Sequence, residues 1–169
     1  MSGPADDGGE VEARVRAALA RTGLPYEWME IDPAYADTAE FCERYGVPLD
    51  RSVNTIVVAS KKEPKQYAAC GVLATTRLDV NHAVRRLMGV SRLSFADAEE
   101  TRAVTGMMIG GVTLLALPET LPIYVDARAE IPDWIILGGG SRGAKIKIAP
   151  EIFRRLPNAT LVPDLAKGP

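Results

Sequence analysis

Two glycine clusters in the C-terminal half constrain this chain more than any other feature. Thr105-Gly106-Met107-Met108-Ile109-Gly110-Gly111 lies between a helix-like stretch and an apolar segment, and Leu137-Gly138-Gly139-Gly140-Ser141-Arg142-Gly143 joins two strand-like runs. Clustered glycines end regular elements, admit positive φ and let backbones approach closely. Their N–H groups can therefore point at an anion or a carbonyl oxygen. Ser141 and Arg142 add donors, and a guanidinium can hold a phosphate with two bonds. Tight turns account for the same residues, so both readings stand at this point. Neither cluster contains the G-K-[ST] of a phosphate-binding loop or the G-x-G-x-x-G of a dinucleotide site.

The rest of the chain divides into short elements. Residues 1–9 are rich in Ser, Gly, Pro and Asp and read as a disordered leader, followed by a single domain over residues 10–165. Val11, Val15, Ala18 and Leu19 form one stripe of a helix over about 10–22, with Gly23 as its stop. Tyr26–Ile31 reads as a strand. Asp37-Thr38-Ala39-Glu40 has the form of a capping box opening a short helix, which Gly46 ends. Val53–Ala59 and Gln66–Leu73 read as a hairpin around the polar, Pro-containing stretch between them. Asp79 caps a helix with Val80, Ala83, Val84 and Leu87 on its apolar face, and Gly89 stops it. Ser94–Asp97 has the form of a second capping box, for a helix running to Thr105. Ile123–Asp126, Trp134–Leu137, Lys145–Ala149 and Ala159–Val162 read as strands, and Pro150 opens a last helix. Strands and helices do not alternate as β-α-β-α, which argues against a doubly wound parallel sheet. The expectation is a mixed α/β (α+β) domain with flanking helices around a curved, mostly antiparallel or barrel-like sheet.

Composition removes several kinds of chemistry. The chain has 169 residues, enough for one real core, but only 1 His and 2 Cys, too few for a disulfide framework or a Cys/His zinc cluster. Any Ser-His-Asp or Cys-His scheme would have to run through His82. His82 falls among solvent-facing positions and Cys42 and Cys70 on apolar faces, so none stands out as a catalytic group. No apolar run is long enough for a membrane span and no signal peptide is evident, which makes the cytoplasm the expected location. The net charge of −2 does not favour a nucleic-acid partner, but four of the acids lie in residues 1–12, which hold no Lys or Arg. Lys61, Lys62 and Lys65, then Arg85, Arg86 and Arg92, then Arg142, Lys145 and Lys147 form loose basic groups that can track phosphates or simply face solvent. Asp126 ends an apolar strand, where a carboxylate most simply starts a turn.

Taken in order, the motifs resemble the YbaK / prolyl-tRNA-synthetase-associated editing domain family. The resemblance rests on Gly46-Val47-Pro48-Leu49-Asp50 before Val53–Ala59, the helix from Asp79 leading into Gly89–Ser94, both glycine clusters, and Ile123–Asp126. It covers about residues 12–162. It implies a mixed α/β fold without cofactor or metal. It also implies hydrolysis of the ester that joins a wrong, small amino acid to the acceptor end of a tRNA, in the company of a synthetase. Carried over, the family's pocket falls on Asn54, Gly110 and Gly111 as catalytic positions. Thr55, Thr105, Gly106, Asp126, Gly139, Gly140, Ser141, Arg142 and Gly143 would contact substrate. Because an aminoacyl ester is already activated, orientation and backbone oxyanion donors can supply much of the rate without a triad. The family's characteristic lysine, which precedes a Thr in its strand, is Asn54 here. Loss of that charge would cost on the order of a hundredfold in rate. Three possibilities follow: Asn54 orients the substrate by itself, Lys145 or Lys147 supplies the charge from another strand, or the pocket binds without hydrolysing.

Overall fold

Tyr67–Leu73 is apolar on both of its faces, and the structure, a computed structural model describing residues 7–169, buries both. This strand, β3, pairs antiparallel with β2 (Val53–Ser60) as the hairpin pattern predicts. Ala69 and Leu73 face one core and Ala68, Cys70 and Val72 the other, because successive side chains alternate across a sheet. Two further strands, β5 (Leu93–Phe95) and β6 (Ile123–Asp126), flank the hairpin, and β9 (Ala159–Val162) completes a five-stranded sheet in the order β5-β2-β3-β6-β9. The β3–β6 and β6–β9 pairs are parallel and the other two antiparallel. Parallel pairing demands a long crossover, here the chain between β3 and β6, which carries two of the helices.

A second sheet is antiparallel throughout: β1 (Tyr26–Glu30), β8 (Ala144–Ile148) and β7 (Ile135–Gly138), with β8 in the middle. A parallel bridge between Ser52 and Ile136 joins its edge to the start of β2. Two short strands, β4 (Arg77–Leu78) and β10 (Ala166–Lys167), pair separately. The sheets do not close into a barrel, which corrects that part of the expectation and leaves the mixed, mostly antiparallel architecture.

Helix α1 (Asp7–Thr22) lays Val11, Val15 and Leu19 on the core between the sheets, with Ile146, Ile148, Ile152 and Phe153. It begins at Asp7, so residues 7–9 of the expected leader are helical, while residues 1–6 lie outside the described residues. The other core, beneath Val80, Val84 and Leu93, fills the opposite side of the five-stranded sheet.

Local signals for ending helices act as read: Gly46, Gly89 and Gly106 all adopt positive φ at the ends of α2 (Thr38–Tyr45), α3 (Arg85–Met88) and α4 (Ala98–Thr105). Three starts differ. Asp37 precedes α2 but makes no capping bond, because its carboxylate is held by Arg142. The capping box of α4 is Asp97 with Glu100, three residues beyond the one expected at Ser94. Asp79 accepts the His82 N–H, but the turn it opens, Val80–Val84, is a wide π-type turn before α3. The segment opened by Pro150 is a 3₁₀ stretch, Pro150–Arg155, rather than an α-helix.

The two glycine clusters pack on each other. A Cβ on Gly111 would lie 2.4 Å from the Ser141 carbonyl carbon, and one on Gly138 2.5 Å from Val112 O and 3.0 Å from Gly111 O. Backbone cannot yield there as a side chain can. Gly111→Ala should therefore lower stability by about 2 kcal/mol or more. Gly46→Ala, with open space but φ of +69°, should cost only about 1 kcal/mol. Urea midpoints of the two variants check the ranking; equal losses would contradict loop-on-loop packing as the reason for Gly111.

Candidate active site

Where the two sheets meet at Ser52 and Ile136, a cavity of about 310 Å³ opens. Its wall is the first half of β2, including Val53, Asn54 and Thr55. Ile136–Gly138 of β7 lies opposite, and the rim is formed by Ala36–Thr38, Phe95–Ala96 and Ile109–Gly110. Lys145 is the lysine that lines it.

The position of Lys145 follows from alternation along β8. Ile146 and Ile148 face the α1 core, so Lys145 and Lys147 share the other face. Lys147 ends 4.4 Å from the Trp134 ring centroid, outside the cavity lining. Lys145 is covered by Phe41 of α2, with Nζ 5.2 Å from the ring centroid, and is 7% exposed. Its ammonium donates to Ala36 O at 2.7 Å and to Gly110 O at 3.3 Å. Burial pushes its pKa down to about 8; Asp37 and Cys42 resist the shift and Arg142 adds to it. An ammonium has three donors, so two carbonyls leave one for a ligand.

Around this cation stand neutral polar groups. Asn54 Oδ1 accepts from Thr38 Oγ1, which leaves the Asn54 amide NH₂ as a donor. Thr55 Oγ1 is buried with no hydrogen-bond partner among the described residues. The N–H of Gly110 likewise meets no acceptor among the described residues. Gly110 has φ of +95°, and a Cβ there would strike Arg142 Nη1 at 2.1 Å. Arg142 donates to Ile109 O at 2.8 Å, Asp37 Oδ1 at 3.1 Å and Pro33 O at 3.2 Å, which locks three loops at the rim.

The remaining residues singled out in the sequence lie outside the cavity lining. Gly111 N–H donates to Met108 O, Gly139 N–H to Ala144 O, Gly140 N–H to Gly111 O and Gly143 N–H to Ser141 Oγ. These four amides are engaged within the protein, so the expected cradle of glycine-loop amides reduces to Gly110. Ser141 Oγ donates to Glu12 of α1. Thr105 Oγ1 donates to Thr101 O and accepts from Met107 N–H, and Gly106 closes α4. Asp126 is 1% exposed and accepts from Arg128 N–H and Ala166 N–H, which starts one turn and anchors β10.

His82 is exposed and bonded to Asp79. Burial raises the Cys42 thiol, against weaker pulls from Ser52 and Lys145, and pushes Cys70 up to about 12. Neither is a poised nucleophile. The cavity residues that the sequence reading missed include Asp37, Thr38, Thr101 and Phe95. Asp37 and Thr38 are brought there with the Arg142 clamp, Phe95 by the pairing of β5 with β2 and Thr101 on α4, long-range placements that no local pattern announces.

The cavity, open on one side, thus sets a buried cation beside a neutral amide, a combination able to polarise a carbonyl. The model of the aminoacyl-tRNA editing domain matches residues 32–156, and the chain belongs to that family. A relative from Enterococcus faecalis, named as a candidate Cys-tRNA(Pro)/Cys-tRNA(Cys) deacylase, EbsC, is 25% identical over 137 residues, 80% of this chain and 82% of that protein. Among solved structures, a candidate trans-editing enzyme for prolyl-tRNA synthetase superposes with a TM-score of 0.79 at 25% identity, covering 99% of this chain and all of that one. A hypothetical protein, APE2540, superposes with 0.80 at 24% identity, covering 91% and 99%, and shares the fold. No described helix is long and apolar enough to cross a membrane.

The depressed pKa of Lys145 has a sign that stability can report. Between pH 8 and the ordinary 10.5 the unfolded chain holds this proton more tightly than the folded one, so its contribution to stability rises with pH. The raised thiols act in the opposite direction above pH 9. The wild type minus Lys145→Met difference isolates the lysine. That difference should move in favour of the wild type by about 1 kcal/mol per pH unit above pH 8. A pH-independent difference in urea unfolding would show that Lys145 titrates normally.

Proposed function

We infer that this protein is an aminoacyl-tRNA deacylase, an ester hydrolase that removes a small mischarged amino acid from the tRNA acceptor end, and that Lys145 supplies the charge missing at Asn54. One observation carries the reading: Lys145 Nζ lines the same cavity as Asn54 and Gly110, with a donor to spare. The aminoacyl group enters the cavity, and water held by the terminal ribose hydroxyl attacks the ester carbonyl; the bond from the acyl carbon to the ribose oxygen breaks, that oxygen takes the proton the water gives up, and the free amino acid leaves. The third N–H of Lys145 and the Gly110 N–H stabilise the oxyanion as it develops, in a site where low dielectric strengthens both. With a pKa of about 8, Lys145 is mostly an ammonium at neutral pH, so it acts as an electrophile rather than a base. The Asn54 NH₂ orients the ribose or the substrate amine. The cavity volume suits a small side chain. No metal or cofactor enters the scheme. A role in translation fits the cytoplasm and an aminoacyl-tRNA synthetase as neighbour.

A panel of mischarged tRNAs tests this reading. Hydrolysis of at least one ester is expected, and Lys145→Met should slow it on the order of a hundredfold. Asn54→Lys should leave the rate unchanged or lower it, because a second ammonium repels the first. The enzymatic rate, relative to spontaneous hydrolysis at each pH, should fall above pH 8 as Lys145 loses its proton. Binding without hydrolysis of any ester would make the protein a capture module instead. A rate that rises with Asn54→Lys would return the catalytic charge to that position.

A further inference from the structure

We propose that the RNA strand leaving the cavity passes over Phe95 and follows a basic trench on the far side of the five-stranded sheet. The proposal rests on the deacylase reading for the nature of the strand, and on the surface for its path. Asn54, Ile56 and Phe95 line not only the first cavity but also a second cleft of about 450 Å³. The two spaces therefore adjoin, with Asn54 in the wall between them. Phe95 is 60% exposed, unusual for a phenylalanine and suited to stacking on a base.

The second cleft carries Arg77, His82 and Lys167. His82 also lines the next depression, with Arg85 and Arg86. Gly89 and Val90 link that depression to a last one with Lys62 and Arg92. Along the whole path six permanent cations face two carboxylates, Asp79 and Glu63. Asp79 is already engaged by His82 and lies 3.7 Å from Lys167. A chain of net charge −2 thus concentrates positive charge along a row of neighbouring depressions that begins at an exposed aromatic ring. Phosphates at regular spacing, with a base stacked at the start, are the ligand this geometry complements.

Uncharged tRNA, end-labelled and titrated by fluorescence polarisation at several salt concentrations, is the probe. Arg85→Ala with Arg86→Ala should weaken binding about tenfold and reduce the slope of log affinity against log salt by one to two. Phe95→Ala should weaken binding with little change in slope. The control pair, Arg21→Ala with Arg154→Ala, alters basic residues on the α1 side of the sheet and should bind as wild type. In hydrolysis, the preference for a full-length tRNA ester over aminoacyl-adenosine should fall about tenfold in the trench variants. A wild type that binds tRNA weakly and without salt dependence, or trench variants that bind no worse than the control, would overturn the path. A wild type that hydrolyses neither ester would remove the deacylase reading, and the binding series would still decide the trench.

Discussion

Holding an ammonium in a nearly closed space is expensive, and much of this structure is arranged around doing so for Lys145. Removing a cation from water carries a large desolvation penalty unless hydrogen-bond acceptors replace the solvent. Here the acceptors are carbonyls from two separate loops, at Ala36 and Gly110, and the Phe41 ring lies over the ammonium at 5.2 Å. Each contact fixes a piece of the cavity rim. Arg142 closes the same rim from outside by joining the Pro33–Asp37 segment to Ile109. A cation within and a guanidinium without therefore tie together loops that are remote in sequence.

This arrangement explains the glycine clusters differently from a phosphate cradle. At Gly111, Gly139 and Gly140 there is no space for a Cβ, and their N–H groups are taken by neighbouring carbonyls. Gly111 lets the two turns stack directly, Gly139 lies against Ala144 and Gly140 against Val11 and Val15 of α1, and the stacking carries Gly110 to the cavity and Arg142 to its rim. Their contribution to chemistry is geometric. Among the clustered glycines, Gly110 combines a place in the cavity with a carbonyl that holds Lys145, as Ala36 does from the other loop.

What the sequence discloses and what it hides divide along contact range. Gly46, Gly89 and Gly106 end helices because a residue with positive φ is a local requirement, and each is readable from its neighbours. The β2–β3 hairpin is readable for the same reason. Asp37 misleads because Arg142, 105 residues away, takes the carboxylate that a capping box would use. The parallel pairing of β6 depends on a crossover with no local signature. Lys145 and Lys147 look alike in an alternating strand, and only the packing of α2 over one and Trp134 against the other distinguishes them.

The bridge between Ser52 and Ile136 sets two strands from different sheets side by side, so that the wall residue Asn54 and the floor residue Lys145 serve one space. On the proposed reading, the decisive charge belongs to the cavity rather than to a column of the sequence. A motif keyed to lysine at the position of Asn54 would score this chain as lacking the charge. The diagnostic to look for in similar chains is a paired change: a neutral amide on the hairpin together with a lysine on the strand that follows the second glycine cluster.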